Sequence, residues 1–202
     1  MTTTTAFTAK DVQELRQRTG AGMMECKRAL EEAKGDIEKA AEGLRTKGIA
    51  KADKRVGKTT SEGLIQSYIH HNGKVGVMLE INCETDFVAR TDDFKTLARE
   101  IALHIASMAP LAIDKTGVPA DAVEKERRIF EEQARQSGKP AQIIAKMVEG
   151  KVESYYKDVA LLSQAWVKEP KKTVGDLVKE TSAKVGEHIQ IKRFVRYQLG
   201  EA

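Results

Sequence analysis

The stretch "GLIQSYIHHNGKVGVMLEINC", residues 63–83, limits the possible folds more than any other part of the chain. Asn72-Gly73 supplies the positive φ angles of a tight hairpin turn, and apolar runs flank it on both sides. In the second arm Val75, Val77, Leu79, Ile81 and Cys83 alternate, so one face of the pair is expected to be buried. A hairpin alone is marginal in water, and something must cover that face. The cover follows directly. Thr91 reads as an N-cap with Asp92 and Asp93 favoured by the helix dipole, and Phe94, Leu97, Ala98, Ile101, Ala102, Ile105 and Ala106 form an unbroken apolar stripe. A helix over 91–108 lying across a hairpin over 63–83 is the expectation, and it makes the chain an α+β protein.

Upstream, Thr8 with Asp11 three residues on opens a helix in capping-box style, and Gly20 closes it after about Arg18. A second helix is expected from Met24 to Gly35. Asp36 then caps a third, in which Ile37, Ala40, Ala41 and Leu44 share a face before Gly48. These three helices form an N-terminal module over 1–48, too small in apolar content to be more than marginally stable alone, and able to sit at the end of a flexible tether. "IAKADKRVGKTTS", residues 49–61, has no sustained period and reads as a basic linker, with a core domain over 62–202 beyond it. Within that core, two charged helices over 120–157 meet at Gly138-Lys139-Pro140 as an antiparallel hairpin, and a helix from Thr173 leads to a closing strand, together 173–199. Ile189, Ile191, Val195 and Tyr197 are expected on one face of that strand, with Arg193 interrupting it.

Composition narrows the function. With 202 residues, 41% hydrophobic and 32% charged, the chain can bury a real core. Thirty-four basic against thirty acidic residues leave only +4, which does not demand nucleic acid as a partner. The densest basic run, Lys47 to Lys58, has no interleaved aromatic on which bases could stack. Cys26 and Cys83 form no Cys-x-x-Cys pair and no disulfide framework, which fits a reducing, cytoplasmic setting. The start "MTTTTAFTAK" has no export signature, and no run is apolar enough to span a membrane. No nucleotide-binding glycine loop occurs, and His70, His71, His104 and His188 stand in no metal-ligand or nucleophile-base motif, so no cofactor, metal or catalytic residue is expected.

Two features ask for another explanation. Met23 and Met24 are adjacent at a helix start and cannot both face inward, so at least one is expected on the surface, as an adaptable contact. In "NCETDFVARTDDF", Thr85 can cap a helical turn that contains Asp86, Phe87 and Val88. Phe87 could fold back as a staple on Phe94 or the sheet end, or be held outward for another molecule.

Taken together, "LRQRTGAGMMECKRALEEAKGDIEKA", "INCETDFVARTDDF", "SGKPAQIIAKMVEG" and "KTVGDLVKE" resemble bacterial elongation factor Ts of the short form, over nearly the whole chain. Thr91 and Asp92 depart from the usual asparagine and glutamate, and Ala165-Trp166 from proline and phenylalanine. The resemblance implies a ubiquitin-associated-like three-helix N-terminal domain, a small antiparallel sheet packed on helices, and a projecting helical hairpin. It implies a guanine-nucleotide exchange factor for elongation factor Tu, acting without bond chemistry. Asp86 and Phe87, flanked by Thr85 and Val88, would wedge into the magnesium and phosphate end of the GTPase site. Arg16, Met23 and Met24 would grip the same GTPase domain. Long members carry two copies of the core repeat where this chain has room for one, so a homodimer is also implied. The rival reading is a small RNA-binding module of the translation apparatus, using Lys47–Lys58 and the tail cations Lys192, Arg193 and Arg196.

Overall fold

The computed structural model describes residues 7–201; the start of the N-terminal module expected from residue 1 lies outside them. Among the described residues the chain is α+β and divides into two compact units. One comprises Met1–Leu64, Asn82–Leu97 and Val178–Gln190, the other Ile65–Ile81, Ala98–Leu177 and Ile191–Ala202. Among the described residues no helix is long and apolar enough to cross a membrane.

The first unit begins with α1 (Ala9–Thr19), α2 (Met23–Glu32) and α3 (Ile37–Asp53). The expected caps are in place. Thr8 and Asp11 form a reciprocal capping box, Gly20 ends α1 at φ 69°, and Asp36 Oδ1 accepts from the Lys39 N–H at 3.1 Å. Val12, Leu15, Cys26, Ala29, Leu30 and Ala40 make the buried centre of this bundle.

Two expectations are corrected here. α3 does not stop at Gly48 but continues to Asp53, so residues 49–53 are helix and not linker. The reason lies in packing: a Cβ on Gly48 would come 3.0 Å from the Cβ of Ala183, in α8 (Val174–Val185). The glycine serves a close approach of helices, not a helix end. The module is also not held by a free tether, since Lys179 Nζ reaches Asp53 at 3.0 Å and Arg45 pairs with Glu180.

β1 (Glu62–Ile69), β2 (Val75–Cys83) and β5 (Gln190–Gln198) form a three-stranded sheet in the order β1-β2-β5. The turn between the first two closes with the His70 N–H donating to the Val75 carbonyl at 2.9 Å. Val77, Leu79, Ile81 and Cys83 are buried as the alternation requires. A single helical turn, α4 (Asp86–Ala89), precedes α5 (Asp92–Met108), whose whole apolar stripe from Phe94 to Ala106 is buried.

In the second unit α6 (Ala120–Arg135) and α7 (Ala141–Val159) pack together through Val123, Ala134, Val148 and Val152. An ion pair of Arg127 with Glu149 at 2.8 Å and a bond from Lys151 to Gln133 at 2.6 Å join the two helices further. His104 is fully buried beside Gln164, Nε2 to Oε1 at 2.9 Å, and its Nδ1 accepts the Val167 N–H at 3.3 Å. A two-stranded ribbon, β3 (Ala165–Trp166) with β4 (Glu169–Thr173), was not foreseen.

β5 brings a third correction. Ile189 and Ile191 are buried as expected, but Lys192 and Arg193 are both exposed and the alternation shifts by one. Phe194, Arg196 and Gln198 are then the more buried residues, and Val195 and Tyr197 face outward. Arg193 Nε meets Glu80 at 2.6 Å, which places it on the outward face of β2 beside Met78.

Candidate binding site

The candidate site starts where β2 ends. Cys83 is buried, and apolar surroundings push its thiol up to about 11, so it anchors the strand end rather than reacts. Thr85 is the N-cap of α4: its Oγ1 accepts the Val88 N–H at 3.4 Å, while the Arg90 N–H closes the turn onto the Asp86 and Phe87 carbonyls. Thr91 Oγ1 donates to the Val88 carbonyl at 2.7 Å and accepts the Phe94 N–H at 3.3 Å, so the turn runs straight into the start of α5.

Within this turn the side chains divide. Val88 is 4% exposed and Ala89 is buried, so these two fasten the turn to the interior; Val88, expected among the contact residues, presents almost no surface. Phe87 is 77% exposed while Phe94 is wholly buried, which removes the staple between them. A large aromatic held in water is costly to leave unpartnered, by about 1.5 to 3 kcal/mol relative to burial. Beside it, Asp86 forms only an exposed pair with Arg90, at 2.7 Å, and such a pair is readily given up.

Two carboxylates fix the approach to the turn. Glu84 receives the Arg55 guanidinium in a two-point fork, Nε at 2.9 Å and a terminal nitrogen at 3.0 Å, and the His188 N–H at 2.7 Å. That fork, with the backbone bond, holds the Glu84 carboxyl down to about 2. Glu187 follows Gly186, which ends α8 in the left-handed region at φ 76°. One Glu187 oxygen accepts from the N–H of Glu84 at 3.1 Å and of Thr85 at 3.0 Å, and the other from Thr85 Oγ1 at 2.6 Å. Nothing in the sequence pointed to Glu187, about a hundred residues from the turn, or to Arg55, which read as a linker cation.

On the three-helix bundle, Arg16 is exposed on α1 and makes no ion pair among the described residues. Met23 and Met24 open α2, and both are exposed, Met24 by 62%. The sequence required at least one to be so; the structure leaves both free. Thr85, Asp86, Phe87 and Val88 thus share one capped turn, while Arg16 lies in the last turn of α1 and Met23 and Met24 open α2. No bond joins the two groups, although both belong to the first unit.

The basic run is largely neutralised. Lys47 meets Glu32 at 2.7 Å, Lys51 pairs with Glu25, and Arg55 and Lys58 converge on Glu84. No group of three or more metal-ligating side chains occurs among the described residues.

Comparison with known proteins adds the following. The family model described as "Elongation factor TS" matches residues 2–201. A protein of Fervidobacterium nodosum named Elongation factor Ts is 59% identical over 195 residues, covering 96% of this chain and 99% of its own length. Proteins of the same name from Carboxydothermus hydrogenoformans and Thermosipho melanesiensis are 55% and 52% identical, each over 96% of this chain and over 90% and 100% of their own lengths.

Proposed function

The chain belongs to the elongation factor Ts family and is a translation elongation factor, and from that premise we propose that it is a guanine-nucleotide exchange factor for elongation factor Tu. The observation that carries this reading is the outward Phe87, 77% exposed on a turn fastened at both ends. An exchange factor makes and breaks no covalent bond. It binds the nucleotide-free GTPase more tightly than the nucleotide-bound one, and by linkage each ligand weakens the other equally.

Asp86 and Phe87 act as the wedge at the magnesium and phosphate end of the partner's nucleotide site. Burying Phe87 supplies about 1.5 to 3 kcal/mol, roughly ten- to a hundred-fold in an equilibrium. That is too little alone for full coupling. The second contact is the ubiquitin-associated-like module, through Arg16 and the two methionines, whose flexible thioether chains adapt to an apolar surface. Pairing of the basic run with acids favours a protein partner over RNA, because cations already matched release few counterions. The protein acts in the cytoplasm, where translation takes place.

The exposed face of the sheet supports a homodimer. Ile65 and Ile69 on β1, Met78 on β2, and Val195 and Tyr197 on β5 are all exposed, and Ile69 lies 3.1 Å from where a Gly76 Cβ would stand on the face that carries Met78. Apolar surface of this extent marks an interface, and a second copy meeting it across a two-fold axis forms a sandwich core.

Calorimetric titration tests the exchange reading. Affinity for nucleotide-free elongation factor Tu is expected to exceed that for the GDP-bound form by at least a hundredfold, and equal affinities would refute it.

A further inference from the structure

Four residues are too few for a helix to hold itself, because the first turn fixes several dihedral angles for one hydrogen bond. α4 nevertheless keeps Phe87 outward. Its cap depends on a hydroxyl that has a single proton to give. Thr85 Oγ1 gives that proton to Glu187, at 2.6 Å, and the same oxygen accepts the Val88 N–H. Glu187 therefore turns the lone pair, not the proton, toward the Val88 amide in the first turn of α4. Its second oxygen takes the backbone N–H groups of residues 84 and 85, so one carboxylate fixes three donors at the entrance to α4. Glu84 returns the connection by accepting the His188 N–H, and it receives the Arg55 fork from just beyond the end of α3.

We infer that Glu187 is a positioning residue for nucleotide exchange, holding the Thr85 cap so that Phe87 is presented as a wedge, with Glu84 and Arg55 tying the turn to the segment that follows the N-terminal bundle. This rests on the wedge reading of Phe87. Glu187 acts through Thr85 and Phe87: its carboxylate is spent on the chain's own donors.

Two measurements test it, using the full chain and the variants Glu187→Ala, Glu187→Gln, Phe87→Ala and Glu187→Ala with Phe87→Ala. Amide hydrogen exchange on the free protein reads the turn without any partner. Glu187→Ala is expected to speed exchange at Val88, Ala89 and Arg90 at least tenfold while the amides of α2 and α7 keep their rates. Unchanged turn amides overturn the inference whatever happens with a partner. With GDP-loaded elongation factor Tu, Glu187→Ala is expected to slow maximal GDP release about tenfold, to move the half-saturating concentration less than about twofold, and to do almost nothing further in the Phe87→Ala background. Losses that multiply in the double variant contradict an action through Phe87. Glu187→Gln keeps a carbonyl oxygen for the backbone donors and is expected to recover part of the release; if the alanine variant does not fold, the glutamine variant carries both readings. A wild type that releases no GDP removes the premise, and the hydrogen-exchange result tells that failure apart from a failure of Glu187 to hold the turn.

Discussion

Removing the charge from Glu84 probes the foundation of the site. Its side chain is 15% exposed and receives the Arg55 fork and the His188 N–H, and these hold its carboxyl at about 2 against an ordinary 4.5. At about 1.36 kcal/mol for each pH unit of that displacement, the ceiling on its contribution is about 3 kcal/mol. Arg55 is 35% exposed and water screens the pair, so roughly 1 to 2 kcal/mol is the expected stability loss in Glu84→Gln at neutral pH. For a chain of this size that corresponds to a fall in Tm of about 3 to 6 °C. Folding lowers this carboxyl's pKa, so the stabilisation is complete above about pH 4.5, declines as pH falls toward 2, and is gone below it. Thermal melts of both proteins from pH 7 to pH 2.5 are therefore expected to converge through that window. Other acids whose pKa folding lowers, such as Asp11 and Glu25, are common to both proteins and cancel in the difference. A difference in Tm that stays constant with pH, or is absent at pH 7, would refute the clamp.

Other outcomes follow from the same contacts. Phe87→Ala is expected to lower stability by less than about 1 kcal/mol in chemical denaturation, because most of that ring is already in water. His104 is buried, which lowers its pKa below 6.5, so it stabilises the fold above that pH and its contribution fades as acid protonates it. His104→Leu is expected to flatten the decline of Tm just below pH 6.5 while costing about 1 to 3 kcal/mol at pH 7 for the unpartnered Gln164 oxygen. Arg16→Ala is expected to speed dissociation from elongation factor Tu with little change in on-rate, and an unchanged off-rate in a binding sensor would remove Arg16 from the interface. Tyr197→Lys, placing a charge on the exposed sheet face, is expected to shift light scattering from dimer to monomer; a wild type already monomeric at working concentration counts against the dimer.

What the sequence could and could not disclose divides along local and non-local lines. The hairpin, its buried arm Val77 to Cys83 and the stripe of α5 repeat with periods of 2 and 3.6, and such periods are carried by adjacent residues. The caps at Thr8, Gly20 and Asp36 are local chemistry too, and the structure keeps each. Gly48 misled because a glycine that admits a neighbouring helix looks the same in sequence as one that ends its own. β5 misled because a single step in phase between Lys192 and Arg193 turns every later side chain to the other face. Of the site, Asp86, Phe87 and Met23-Met24 were legible as oddities, large or soft side chains where packing had no use for them. Their supports were not: Glu187 and Arg55 reach the turn only through tertiary structure, and no spacing rule links residue 55 or 187 to residue 85.

The central claim is that an exposed ring on a braced turn drives nucleotide release. The direct measurement is stopped-flow release of a fluorescent GDP from elongation factor Tu, with catalytic amounts of this chain and of its folded Phe87→Ala and Asp86→Ala variants. Fast release by the wild type, slowed ten- to a hundredfold by Phe87→Ala, is the predicted result. Release by Phe87→Ala at the wild-type rate, or no acceleration by the wild type with a cognate partner, would contradict the account.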